Sequence, residues 1–181
     1  MAQATTPGRE SRVMTVLFRD RESTERAYNS LRARGYTDEE INVMMSDETR
    51  DKYWGEGTQG ADTELGNKAL EGTGAGAAIG GTLGAIIGGI AAIGTNLLIP
   101  GLGLVVWGPL AAALAGAGAG GLTGGLVGAL IGWGIPEEHA KRYEAGIKEG
   151  GTVLGVTPRT PEDAEYFEKE WRGYRGEHIY R

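Results

Sequence analysis

The side chains able to do chemistry are few in this 181-residue chain. Its only histidines are His139 and His178, it has no cysteine, and its clustered acids include the short runs Asp38-Glu39-Glu40, Glu137-Glu138 and Glu162-Asp163. Without cysteine there is no disulfide, no zinc–thiolate or iron–sulfur site and no thiol nucleophile. Glu137, Glu138 and His139 are consecutive, so a helix spreads them around its circumference and does not gather them on a metal. His139 reads as a solvated residue at a helix start, and His178 as part of a frayed tail; neither has the serine context of a nucleophilic triad. Asp38-Glu39-Glu40 and Glu162-Asp163 suit helix starts, where carboxylates meet the positive end of the dipole, better than acid–base or cation sites. Two strings, GTGAGA (72–77) and GAGAGG (116–121), fit the dinucleotide fingerprint G-x-G-x-x-G/A. No strand precedes either, which the fingerprint requires. The residues predict no catalytic centre, no cofactor and no metal.

Charge placement is the stronger signal. Eighteen Lys and Arg stand against 24 Asp and Glu, a formal net charge of −6, and nucleic acid is excluded as an expected partner because binding it needs a clustered basic surface. Residues 1–71 carry 10 basic and 14 acidic side chains, residues 137–181 carry 8 and 10, and Gly72–Pro136 carries none. Two polar arms thus flank one long apolar block. The start of the chain, MAQATTPGRESR, has no charged segment followed by an apolar one, so a cytoplasmic location or a cytoplasmic face is expected.

The arms must position whatever site exists. After a polar tail (1–11), residues 12–46 read as strand, helix, strand: MTVLF is β-branched and aromatic, Asp20 offers an N-cap, and Gly35 a helix stop. Thr37 to Glu40 has capping-box spacing, and INVMM follows as a short strand. Residues 47–71 read as a polar linker whose end begins the next helix. In the second arm, 136–157 reads as helix then strand and 158–181 as a helix and tail, with Thr160-Pro161 as its start and Ala164, Phe167 and Trp171 as its stripe. Trp171, Tyr174 and Tyr180 suit either a core or a docking surface on a neighbouring subunit. The expected fold is α+β: a split ferredoxin-like domain, βαβ then αβα, whose halves pack on each other around an inserted hairpin.

Residues 72–135 are that insertion. Gly72, Gly76, Gly80, Gly84 and Gly88 recur every fourth residue, and so do Gly116, Gly120, Gly124, Gly128 and Gly132. On helices over Gly72–Gly94 and Pro109–Trp133 each set forms one narrow stripe. Gly is worse than Ala in a helix by about 1 kcal/mol, so each ladder sacrifices roughly 5 kcal/mol of propensity that close backbone packing must offset. A flexible linker would lack the Ile and Leu between the glycines. The expectation is a glycine-zipper α-helical hairpin that mediates self-association. Each helix, at about 35 Å, is long enough for a ~30 Å hydrocarbon core. Against insertion, Glu71 and Glu137-Glu138 stand where basic anchors are usual, and the connecting TNLLIPGLGLVVWG (95–108) is itself apolar. Such a loop suits a bilayer, with Trp107 and Trp133 at interfaces, or burial against other copies.

VLFRDRESTERAYNSLRARGY with TDEEINVMM, then IPGLG and WGPLAAALAGAGAGG, then LVGALIGWGIPEEHAKRYEAGIKEGGTVLGV, occur in that order. This order resembles bacterial general-stress proteins of the heat-induced stress family across residues 12–157. The resemblance implies a stress-associated bacterial protein with membrane links and no transferable enzymatic chemistry. The functional expectation is a non-enzymatic stress-response protein that homo-oligomerises through the ten glycines, its hairpin in the cytoplasmic membrane and its arms on the cytoplasmic side. The alternative is a soluble cytoplasmic assembly with the hairpins as its buried core.

Overall fold

A computed structural model describes residues 13–54, 96–99, 103–111 and 125–181. The chain is an α+β protein built on one antiparallel sheet. Its strands are β1 (Met14–Phe18), β2 (Ile41–Ser46), β3 (Asn96–Ile99), β4 (Leu104–Trp107), β5 (Thr152–Val156) and β6 (Glu177–Tyr180), in the order β3-β4-β2-β5-β1-β6. The helices are α1 (Arg21–Ala33), α2 (Asp47–Trp54), α3 (Gly125–Gly132), α4 (Glu137–Lys148) and α5 (Pro161–Gly173).

The two arms interleave. β5 sits between β1 and β2, pairing Val16 with Leu154 and Val43 with the same Leu154. β1 and β2 therefore run parallel to each other across β5, and β5 and β6 run parallel across β1. Each parallel pair is bridged by one helix, α1 or α5, as parallel strands require.

Alternation along the strands decides the layers. Met14, Val16, Phe18, Val43, Met45, Leu154 and Val156 face α1 and α5, where Tyr28, Leu31, Phe167 and Trp171 complete one core. Leu17, Met44, Val106 and Val153 face the other way, against Leu126 and Leu130 of α3 and Ala140, Tyr143 and Ile147 of α4. Strands β1, β2, β4 and β5 are buried on both faces, which accounts for their being apolar at nearly every position. Gly146 lets α4 lie directly on β1: a Cβ there would sit 2.3 Å from Leu17 Cδ2.

Local signals end the helices where the sequence indicates. Asp20 caps α1 by accepting from the Ser23 N–H at 2.8 Å, and Thr160 caps α5 by accepting from the Asp163 N–H at 3.1 Å. At the other end of α1, Gly35 (φ 82) donates its N–H to the Arg32 carbonyl while the Tyr36 N–H reaches Leu31, a Schellman pair. α3 and α4 end the same way at Gly134 and Gly150. α5 repeats the pattern with Arg175 (φ 61) in the glycine position.

Three expectations are corrected. Residues 47–54, read as the start of a linker, form α2, nucleated by Ser46 Oγ accepting from the Thr49 N–H at 3.1 Å. The apolar connection 95–108 holds a β-hairpin, β3 and β4, that extends the sheet beside β2; backbone pairing, with Val105, Val106 and Trp107 buried, answers how such a stretch avoids water. The tail is β6, so the second arm reads αβαβ. Of the helix expected over Pro109–Trp133, the described parts are residues 109–111, which are helical, and α3, where Gly125 at φ 60 stands in left-handed conformation at the start. The helix expected over Gly72–Gly94 lies outside the described residues, as does most of the linker.

Candidate functional site

Of the ten glycines expected to mediate self-association, Gly72, Gly76, Gly80, Gly84, Gly88, Gly116, Gly120 and Gly124 lie outside the described residues. Gly128 and Gly132 lie on α3. Leu126, Ala129 and Leu130 fill the inner face of that helix, so the 100° step per residue turns Gly128, Ile131 and Gly132 outward. A Cβ built at Gly128 or Gly132 meets nothing within 4 Å, and Ile131 between them is a large apolar side chain left 43% exposed. Among the described residues, nothing packs on the glycine face of α3.

The root of the apolar block is fastened to the sheet by one buried amide. Asn42 of β2, 2% exposed, accepts the Leu110 N–H on Oδ1 at 2.7 Å and donates from Nδ2 to the Gly155 carbonyl at 3.3 Å. Beside it the chain leaves β4 at Gly108, which no other residue could replace without strain: φ is 91, and a Cβ would lie 2.4 Å from the Ile41 carbonyl.

The residues singled out for chemistry are placed in two structural networks. At the corner of α4 and β6, the Tyr143 hydroxyl donates to the His178 carbonyl at 2.6 Å and lies 2.8 Å from Thr15 Oγ1. Burial pushes that phenol well above its ordinary range. His139 packs its ring on Tyr180 with centroids 5.2 Å apart, and its Nδ1 is shielded from solvent with no hydrogen-bond partner among the described residues. It is half-buried, so its reading as a solvated residue is corrected: α4 turns it under β6. His178 belongs to a strand, not a frayed end. It stands at φ 51, and its Nδ1 lies 3.2 Å from Arg142 Nη1. Burial first, then the positive charge of Arg142, holds its pKa below the ordinary 6.5.

The second network joins the arms. Asp163, 9% exposed, accepts from the Tyr36 hydroxyl and from Arg34 Nη1, both at 2.7 Å, while the Arg159 N–H donates to the Tyr36 oxygen at 2.7 Å. Burial above all pushes the Tyr36 hydroxyl up to about 12. Glu40 receives the Arg159 guanidinium and closes a capping box onto the Thr37 N–H at 2.8 Å. Asp38 accepts from the Tyr28 hydroxyl. Each partner is satisfied and the groups point at one another, the geometry of a clasp between the α1–β2 turn and α5.

Trp171 is fully buried against Phe167, stacked at 5.9 Å, and so belongs to the core and not to a docking tail. Trp107 is buried, and the Trp133 ring edge would lie 3.0 Å from a Cβ at Gly155. Both rings are used inside the protein, which corrects their placement at lipid interfaces. Among the described residues no helix is long and apolar enough to cross a membrane, and no group of three or more His, Asp or Glu could hold a metal ion. A scan against protein-family models and searches of curated proteins and of solved structures each found no match to this chain.

Proposed function

We propose that the chain is a non-enzymatic stress-response protein that assembles with copies of itself through the glycine faces of its inserted block. The observation that carries this reading is the orientation of α3: Leu126 and Leu130 are committed to the domain core, while Gly128, Ile131 and Gly132 face away from it. A small-residue helix face admits close backbone approach, which compensates for the helix propensity given up. The stress-response part rests on the resemblance of the three ordered segments. The strand order β2-β5-β1-β6, with α1 and α5 as crossovers, favours a split ferredoxin-like scaffold for the insertion, its second sheet face covered by α3 and α4.

A soluble assembly is favoured over insertion in the cytoplasmic membrane by β3 and β4, which tie the middle of the charge-free block into a protein sheet. Membrane association remains the second reading, favoured by the uncharged Gly72–Gly94 stretch. The test is Gly128→Leu with Gly132→Leu. Among the described residues both positions open outward, so the fold is expected to persist by circular dichroism while light scattering shows the mass of the assembly reduced. An oligomer of unchanged mass overturns the zipper reading. Flotation of the parent chain with lipid vesicles, instead of recovery as a soluble particle, favours the membrane.

A further inference from the structure

The two edges of the sheet are not alike. The β6 edge is guarded: its pairing with β1 shifts register between Thr15 and Leu17, His178 stands in left-handed conformation, and Glu177 is held by Arg19 at 3.0 Å. Such irregularities and charges keep an edge strand from pairing with another chain. The β3 edge has none of these. Asn96–Ile99 pairs with β4 in unbroken register at all four positions, contains no charge or proline, and has no strand on its outer side among the described residues. Alternate residues of such a strand direct their N–H and C=O groups away from the sheet.

We infer that β3 is a pairing edge for a second copy of this chain, the two β3 strands meeting antiparallel about a two-fold axis so that one sheet runs through both protomers. This rests on the self-association proposed above and names a contact for it. Hydrogen bonding and charge both select the occupant. A strand edge needs donors and acceptors, which a lipid tail does not offer. Each copy carries a net charge of −6 with no charged residue in Gly72–Pro136, so two copies meet with least repulsion along an edge drawn from that block. Antiparallel pairing of identical strands is self-complementary, and with the β6 edge guarded it closes at a dimer and does not propagate.

The absence of cysteine makes the test clean. Single variants Asn96→Cys, Leu97→Cys, Leu98→Cys and Ile99→Cys, with Ile179→Cys on β6 as control, are oxidised in solution with and without phosphatidylglycerol vesicles. Light scattering on the same samples gives their mass. Paired strands bring facing Cα atoms to about 4.5–5.5 Å, within disulfide range. The expected result is an oligomer in which disulfide dimers peak at one position or two adjacent ones of β3, at least tenfold above Ile179→Cys, whether or not vesicles are present. An oligomer whose β3 positions cross-link no better than the control overturns the β3 contact and leaves self-association standing. A monomer overturns both. Cross-linking abolished by vesicles with which the chain floats assigns this edge to the membrane and overturns the inference.

Discussion

Replacing Asn42 by Ala removes the amide that fastens the Leu110 backbone to the sheet. The Leu110 N–H then stays buried with no partner, a loss of about 1–3 kcal/mol. The longer bond to the Gly155 carbonyl, at 3.3 Å, adds a smaller amount. The expected total is about 2–3 kcal/mol, or roughly 4–12 °C in Tm at the 2–4 °C per kcal/mol usual for a chain of this length. Asn42→Asp is the sharper variant. It keeps an acceptor for Leu110 but sets an oxygen against the Gly155 carbonyl and places a charge at a position 2% exposed, so it is expected to cost more than Ala. Urea unfolding ranks the three proteins, and hydrogen exchange at the Leu110 amide reports the local loss. If Asn42→Ala falls within about 0.5 kcal/mol of the parent, the ordinary range for surface changes, the fastening role is refuted.

Arg175→Gly is expected to raise stability by about 0.5–1 kcal/mol, since Arg175 occupies at φ 61 the Schellman position that glycine fills after α1, α3 and α4; a lower Tm would refute it. Stability should fall as the pH drops below about 6.5, because His178 binds its proton less readily in the folded state, among Arg142, His139, Arg19 and Glu177, than in the unfolded one. His178→Asn tolerates φ 51 and does not titrate, so urea midpoints from pH 7.5 to 5 should show a flatter slope for this variant than for the parent.

The arms were legible because their signals are local. Asp20, Gly35, Thr160 with Pro161, and Gly150 bound helices whose apolar stripes the sequence displays. The elements missed are those that only long-range pairing creates. EHIY has polar residues at half its positions and becomes β6 because β1 offers an edge. DETRDKYW has no apolar stripe, and α2 is held instead by its Ser46 cap and by Arg21 donating to the Tyr53 carbonyl at 2.9 Å. LVVW carries a β-branched and aromatic strand signal, outweighed in reading by the glycine ladders on either side. At the root of the block, Asn42 is visible as the polar residue within INVMM, yet its partner Leu110 lies 68 positions away. The outward turn of Gly128 and Gly132 depends on which face of α3 the sheet takes.

The interleaving of the arms has a kinetic consequence. Central strand β1 pairs only with β5 and β6, so Met14 waits for Val156 and Thr15 for Tyr180. During synthesis at about 5–20 residues per second, the stretch from the end of β2 to the start of β5 takes on the order of 5–20 s to emerge, and β1 stays unpaired throughout. Until then the sheet is limited to the β3–β4 and β4–β2 pairings. The domain closes in one late step when β5 slides between two strands made long before it, a non-local closure of the kind that folds slowly and leaves apolar strands open to other chains meanwhile.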